Sequence, residues 1–135
     1  MQSYRNQRGM GATSWLCVIV IVVFFGICAF KMVPAYNENL MVKAALRSLA
    51  NQPEGVGAMT KAQIRNELQQ FYEMNNVRGE PTRSLKVEEH RGKTLVSINY
   101  EVRVPLFANI SVVMTFNNTL DSSQPQDCCD PPAEQ

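Results

Sequence analysis

A stretch without charged side chains, from Gly9 to Phe30, constrains this chain more than any other feature of its sequence. Arg8 precedes the stretch and Lys31 follows it. As a helix with a rise of 1.5 Å per residue it would be about 33 Å long, which matches a hydrocarbon core of ~30 Å. Lipid offers no hydrogen-bond partner to an open backbone, so a lone apolar segment must be helical there. We therefore predict one transmembrane helix, residues 10–33.

The charges at the amino end set the expected orientation. Arg5 and Arg8 precede the apolar stretch without any acidic residue, and positively charged flanks favour the cytoplasmic side. A cleaved signal peptide is the alternative, but its apolar region is normally ~7 to 15 residues long, shorter than this stretch. We therefore expect an uncleaved signal anchor, with residues 1–9 in the cytoplasm and the chain beyond the helix on the outer side.

A further alternative comes from Arg8-Gly9-Met10, which resembles the processing site of type IV prepilins ahead of an apolar helix. Those proteins usually carry a glutamate at the fifth position after cleavage, where this chain has Ser14. The resemblance implies a pilin-like structural subunit that assembles through its apolar helix. This alternative stays open at the level of the sequence.

Two helices are predicted after the membrane segment. Pro34 is expected to kink or break the helix that leaves the bilayer. Apolar residues at helical spacing then predict a helix that begins near Asn37 and stops before Pro53. A capping box that starts at Thr60 opens a second helix, which extends to about Asn75.

From Leu85 onward the apolar period changes from helical to two, which predicts three strands. A turn at Arg91-Gly92 leads into the longest strand, from about Thr94 to Val104, which Pro105 is expected to end. One face of this strand is apolar: Val96, Ile98, Tyr100, Val102 and Val104. The third strand repeats the alternation at Ile110, Val112, Met114 and Phe116.

An antiparallel sheet with one apolar face must be covered, and the second helix is the element expected to cover it. Residues 34–116 are therefore predicted to form a small extracytoplasmic domain of the α+β class. It has two layers, built from two helices followed by a three-stranded antiparallel meander.

The last segment, residues 117–135, contains no Lys or Arg and collects acidic residues among Pro, Gln and Ser. Such a composition buries too little apolar surface to offset the entropy of ordering, so we expect a disordered acidic tail. We interpret Cys128 and Cys129 as incidental thiols of this tail. The alternatives are a redox role in an oxidising compartment, as a vicinal disulfide or as bridges to another chain, and a metal site with neighbouring Asp. Deleting residues 118–135 is therefore not expected to reduce co-purification of a membrane partner.

The sequence shows no catalytic or metal-binding constellation. His90 is the only histidine, which excludes a metal cage of several histidines. Cys17 and Cys28 lie about 16 Å apart along the predicted helix and cannot bond to each other. A net charge of +1 lacks the basic excess that nucleic-acid binding needs. We therefore expect no enzymatic activity, no cofactor, no metal and no nucleic-acid partner.

Small residues recur along the membrane segment. Gly11, Ser14 and Cys17 follow one another at three-residue spacing, and small side chains let two membrane helices approach closely. These residues are the candidate contact with a partner helix, and a chance scatter of small residues is the alternative. The expected partners are the lipid bilayer and another membrane protein.

Four segments together resemble a known family: Gln7-Arg8-Gly9-Met10, Lys31 to Tyr36, Tyr100 to Leu106, and Asn109-Ile110. Over residues 7–116 the chain resembles short proteobacterial single-pass membrane proteins with a domain of unknown function. Their genes commonly lie beside those of type I signal peptidase and ribonuclease III. The resemblance implies the bacterial inner membrane, a periplasmic domain and a link to protein export. We therefore expect an accessory protein or binding partner of type I signal peptidase.

Overall fold

A computed structural model describes residues 11–129 of the chain. These residues contain α1 (Ala12–Ala50), α2 (Lys61–Met74), α3 (Glu80–Arg83), β1 (Leu85–His90), β2 (Lys93–Phe107), β3 (Ile110–Asp121) and the short 3-10 helices Val56–Ala58 and Pro125–Asp127. The α+β class, the long apolar helix at the amino end and the three-stranded antiparallel sheet are confirmed. The cytoplasmic segment expected at residues 1–9 lies outside the described residues.

Helix α1 continues through Pro34, so the predicted break at this proline is wrong. Most of the stability of a protein helix comes from packing of one face rather than from intrinsic propensity. Directly after Pro34, Ala35 is 5% exposed and Val42 is fully buried, so the following turns are held by the domain core. The predicted membrane helix and the first predicted domain helix are therefore one helix.

The two halves of α1 have different surroundings. Residues 12–23 are exposed on all sides, and the most apolar 18-residue stretch of α1 has a mean hydropathy of 2.8 with only 6% of its residues buried. Cys28 is buried toward the end of the first half, and the second half carries the other buried positions: Ala35, Val42, Ala45, Leu46 and Leu49. By length and composition, α1 is thus able to span a membrane near the amino end while its other half belongs to the folded domain.

Helix α2 begins with the predicted capping box. The amide of Gln63 donates to Oγ1 of Thr60 at 3.3 Å, and Oε1 of Gln63 accepts from the amide of Thr60 at 2.8 Å. These two bonds satisfy orphan donors of the first turn and fix where the helix starts. One face of α2 then reaches the core through Ile64, Leu68 and Tyr72.

The sheet has the strand order β1-β2-β3, with both neighbouring pairs antiparallel. Arg91 and Gly92 have φ values of 49° and 80°, which suits the two-residue turn between β1 and β2. The predicted apolar face of β2 is confirmed, since Val96, Ile98 and Tyr100 are at most 4% exposed. The register brings Tyr100 opposite Phe116 on β3.

Strand β2 continues past Pro105 to Phe107, so the predicted strand end at this proline is wrong. Strand β1 pairs only with residues 93–98, which leaves the far half of β2 with a free edge on that side. A proline is tolerated at such an edge and at bulges, because no ladder donor is required of it. The register shift between Pro105 and Phe107 is such a bulge.

The sheet is covered by α1 as well as by α2. Helix α1 contacts β2, β3 and α2. Its residues Val42, Leu46 and Leu49 share one core with Ile98 of β2 and Leu68 of α2. The prediction that α2 alone covers the apolar face is therefore wrong, because the second half of the unbroken α1 also packs on the sheet.

The chain does not become disordered at Asn117, contrary to our expectation. Strand β3 extends to Asp121, and both Asn118 and Leu120 are fully buried. Their positions continue the alternation of the strand, which places them on the core face. Further along, Cys129 is only 1% exposed and belongs to the same core. Residues 130–135, the remainder of the predicted tail, lie outside the described residues.

Candidate functional site

The predicted helix-contact residues lie on the first turns of α1. Gly11, Ser14 and Cys17 are all exposed, and the amide of Ser14 donates to the carbonyl of Gly11 at 2.8 Å where the helix begins. A Cβ at Gly11 would meet no other atom of the described chain within 4 Å. The three small residues therefore form an open surface on the helix, which a second helix can approach closely.

The last turns of the predicted membrane segment are covered by the β2–β3 hairpin. The rings of Phe24 and Phe107 stack with their centroids 5.7 Å apart. One turn further along α1, Cys28 is 8% exposed. Nζ of Lys31 then donates to the carbonyl oxygens of Pro105 and Leu106 at 2.9 and 3.0 Å. Contacts between α1 and the hairpin therefore begin before residue 33, where the membrane helix was predicted to end.

A buried polar cluster joins the second half of α1 to the sheet. Oδ1 of Asn39 accepts a hydrogen bond from Nδ2 of Asn118 at 2.8 Å and one from the hydroxyl of Tyr100 at 3.4 Å. The Tyr72 hydroxyl and Oδ1 of Asn118 are buried without a partner in the described part of the chain. Buried polar groups that pair only in one arrangement favour that arrangement over its alternatives. The cluster therefore fixes the position of α1 on the sheet.

The ionisable groups of this cluster are shifted by burial. Burial raises the pKa of Glu38 above its ordinary value of 4.5, while the backbone N–H of Arg78, which donates to its carboxylate, acts in the opposite direction. Burial also raises the pKa of Tyr72, helped by the neighbouring Tyr100, and the pKa of Tyr100, helped by the charge of Glu38. Both phenols therefore stay protonated at neutral pH, and the Tyr100 hydroxyl acts as a hydrogen-bond donor rather than as a base.

The sequence prediction missed this cluster although one signal was present. Asn118 follows Met114 and Phe116 at the strand period of two, so a polar residue stands on an apolar strand face. Because the tail was predicted to start at residue 117, Asn118 was placed outside the domain. A polar side chain in a disordered tail does not indicate a buried hydrogen bond. No local pattern pointed to Asn39 on α1 as its partner.

Cys128 and Cys129 form a disulfide with each other, which is one of the outcomes left open by the sequence. Sγ of Cys129 lies 3.5 Å from the backbone oxygen of Lys43 on α1. The segment after β3 is thus packed against the second half of α1. The other two cysteines are free thiols, exposed at Cys17 and buried at Cys28.

Within residues 11–129, no group of three or more His, Cys, Asp or Glu side chains is arranged to hold a metal ion. His90 is exposed at the end of β1.

Replacing Glu38 by Gln is expected to make the folded domain more stable at neutral pH. A carboxyl group whose pKa is higher in the folded chain binds more protons when folded, so its contribution to stability is greatest below pH 4.5 and falls as the pH rises through the folded pKa. The Gln amide carries no charge and removes this loss. The melting temperatures of both proteins at several pH values test this.

The difference between the Glu38→Gln variant and the parent should shrink as the pH falls toward 4.5, the ordinary value for this carboxyl. Glu67→Gln, at an exposed position of α2, is the matched control and should track the parent at each pH. A Glu38→Gln protein less stable than the parent at neutral pH contradicts the assignment of burial as the dominant cause.

Comparison with known proteins identifies one family. A family described as a domain of unknown function (DUF4845) matches residues 31–116. Neither a curated protein nor a solved structure matches the chain. The matched residues begin at Lys31, which contacts the hairpin, and end at Phe116 on β3. Because the match covers more than half of the chain, this protein belongs to the DUF4845 family.

Proposed function

We propose that this chain is a non-enzymatic, single-pass protein of the bacterial inner membrane that binds another membrane protein in the plane of the bilayer. Its amino end lies in the cytoplasm and its folded domain in the periplasm. The proposed partner is type I signal peptidase or another component of protein export. The choice of this partner rests on the gene neighbourhood of the proteins that the chain resembles.

One observation carries the proposal of membrane binding: residues 12–23 of α1 are largely apolar and exposed on all sides. The exposed large residues of this segment are Trp15, Leu16, Val18, Ile19, Val20, Ile21, Val22 and Val23. A continuous apolar surface of this kind is not stable in water and needs lipid or a protein partner to cover it. Lipid covers most of this apolar surface, and the side with Gly11, Ser14 and Cys17 is the one that a partner helix contacts.

The interior of the domain supports a binding role rather than catalysis. Its polar cluster is closed by the packing of α1 on the sheet, with Asn118 fully buried at its centre. Burial raises the pKa of Tyr100, so its hydroxyl stays protonated and donates to Asn39, which suits a structural hydrogen-bond network. These groups fix the domain on the end of its membrane helix, so the domain presents a constant surface to a neighbour in the membrane.

The proposed contact in the membrane is weak by itself. A helix–helix contact through small residues contributes about 1 kcal/mol per interaction. Confinement of both partners to one membrane reduces the translational and rotational freedom that association must remove. Several weak contacts along Gly11, Ser14 and Cys17 are then sufficient to hold a partner helix.

Leucine at both Gly11 and Ser14 is expected to reduce co-purification of the partner in mild detergent at least several-fold. The larger side chains keep a second helix from approaching closely. Reduced co-purification would not result from failed membrane insertion of the variant, since each leucine favours insertion by about 0.3 to 0.6 kcal/mol. The measurement is the amount of signal peptidase recovered with each protein after affinity purification from native membranes.

Ala12→Leu combined with Val23→Leu is the matched control, because these residues lie on the opposite side of the same exposed helix. The control should retain the partner at the level of the parent. Equal recovery from the parent, the Gly11→Leu/Ser14→Leu protein and the control contradicts the proposed contact surface.

A pilin-like structural subunit is the second candidate, favoured by the unbroken helix. Residues Ala12–Ala50 form one continuous helix whose first half is apolar and exposed, which suits lateral bundling of many copies. The mass of the mature amino end separates the two functions. A pilin-like subunit begins at Met10, whereas a signal anchor retains Gln7-Arg8-Gly9.

A further inference from the structure

We infer that the tip of the β2–β3 hairpin, residues 105–110, is a second membrane-contacting element, inserted among lipid acyl chains in the leaflet on the domain's side. This inference rests on the proposed membrane anchoring by α1. It adds a structural consequence: the protein contacts the bilayer through the hairpin tip as well as through α1.

The first support is the contact between the tip and the membrane segment. The ring of Phe107 stacks on the ring of Phe24, with centroids 5.7 Å apart and an angle of 9° between the ring planes. Phe24 lies inside the uncharged stretch that spans the bilayer in the proposed arrangement. A side chain stacked on Phe24 shares its depth, so Phe107 lies below the membrane surface as well.

The second support is the depth that the geometry sets. Lys31 is the first charged residue after the apolar stretch and marks the water-facing end of the span. Phe24 is seven residues before it, about 10 Å deeper along the helix. The hairpin passes Lys31 at Pro105 and continues two residues to Phe107, about 7 Å of strand. Both estimates place the tip ~5 to 10 Å into the headgroup and acyl boundary, as for interfacial elements.

The third support is the composition of the tip. No charged residue occurs from Val104 to Leu120, whereas Arg103 precedes this stretch and Asp121 follows it. Phe107 is 43% exposed and Ile110 is 64% exposed. Two large apolar side chains at the end of a hairpin are costly in water and favourable among acyl chains.

The fourth support is the pairing of backbone groups at the tip. Backbone carbonyls in an apolar environment need hydrogen-bond partners. The bulge between Pro105 and Phe107 disturbs the ladder at this point, and the ammonium of Lys31 donates to the carbonyls of Pro105 and Leu106. These bonds reduce the cost of bringing the end of β2 to the membrane surface.

Tryptophan fluorescence of the full chain in phosphatidylcholine vesicles tests the inference. Phe107→Trp on a Trp15→Phe background gives a single tryptophan at the tip. Thr115→Trp on the same background is the matched control, because Thr115 is exposed on β3 well away from the tip. Each protein is measured in vesicles with and without lipids brominated at a shallow acyl position. In the unmodified protein, quenching of Trp15 by the brominated lipid shows whether α1 is inserted in the membrane.

We expect the Phe107→Trp protein to show blue-shifted emission and to lose about half of it to the brominated lipid, as for side chains at the acyl boundary. The Thr115→Trp protein should show red-shifted emission with little loss. Red-shifted, unquenched emission from position 107, with Trp15 of the unmodified protein quenched, overturns the inference and leaves membrane anchoring intact.

Blue-shifted but unquenched emission from position 107 also overturns the inference, because the side chain is then covered by protein, such as Phe24 of α1, and not by acyl chains. If Trp15 itself is unquenched, α1 does not span the membrane. The proposed function then fails together with the inference that rests on it.

Discussion

Replacing Ile98 by Asp is expected to unfold the domain outside the membrane. Ile98 is fully buried in the centre of β2, opposite Asn118 on β3 and within the core shared with α1. A carboxylate at this fully buried position is removed from solvent into an apolar core, and burying it costs several kcal/mol. A domain of this size has a total stability of ~5 kcal/mol, so the substitution removes most or all of it.

Asn99→Asp is the matched control, because it introduces the same side chain one residue further along the strand. Asn99 is exposed on the opposite face of the sheet, so the charge stays in water and the effect should be small. Trypsin digestion of the full chain in detergent over a temperature range measures both, through cleavage after Arg65 and Arg78. Equal resistance of the two variants means that the assignment of strand faces is wrong.

Deleting residues 118–135 is expected to prevent folding of the domain, the reverse of what composition suggested. The deletion removes Asn118, which pairs with Asn39, and Leu120, which is fully buried opposite Val96. It also removes Cys129 from the core beside α1. Digestion of the membrane-bound protein should release fragments of the domain from the shortened chain under conditions that leave the parent intact.

A milder variant keeps this prediction testable when the shortened chain is degraded in the cell. Leu120→Ala retains the whole chain and is expected to lower stability by about 2 to 5 kcal/mol, as for a leucine removed from a core. Ser123→Ala, at an exposed position two residues after β3, should cost far less. A shortened chain as resistant as the parent, or a neutral Leu120→Ala, contradicts the role of this segment in the core.

Local signals in the sequence predicted the local elements well. The capping box at Thr60 and Gln63, the turn at Arg91-Gly92 and the alternation along β2 each involve residues that are close in the chain. Such patterns act through bonds and angles within one element, so a single sequence contains them. The fold class followed from the order of these elements.

The mistakes arose where packing between distant segments overrides a local preference. Pro34 and Pro105 normally end a helix and a strand, but core packing continues α1 and a free edge tolerates the proline in β2. Asn117 begins a polar, acidic segment, yet β3 continues because every second residue reaches the core. None of these outcomes depends on neighbours in the chain alone.

In the candidate site, too, local patterns were visible in the sequence and contacts between distant residues were not. Gly11, Ser14 and Cys17 were predicted from their spacing, and the structure leaves them exposed together with their neighbours on the first turns of α1, so their role stays a prediction. The contacts of Phe24 with Phe107 and of Asn39 with Asn118 were missed, because each joins α1 to the far end of the chain. Only the three-dimensional arrangement brings such residues together.

Photocrosslinking in native membranes tests the central claim most directly. A photoreactive amino acid in place of Ser14 faces the proposed partner, and the same group in place of Ala12 faces the opposite side of α1. Our account predicts that position 14, but not position 12, yields an adduct with signal peptidase or another export component. An adduct containing only copies of this chain, or identical adducts from both positions, contradicts the account and favours the structural subunit.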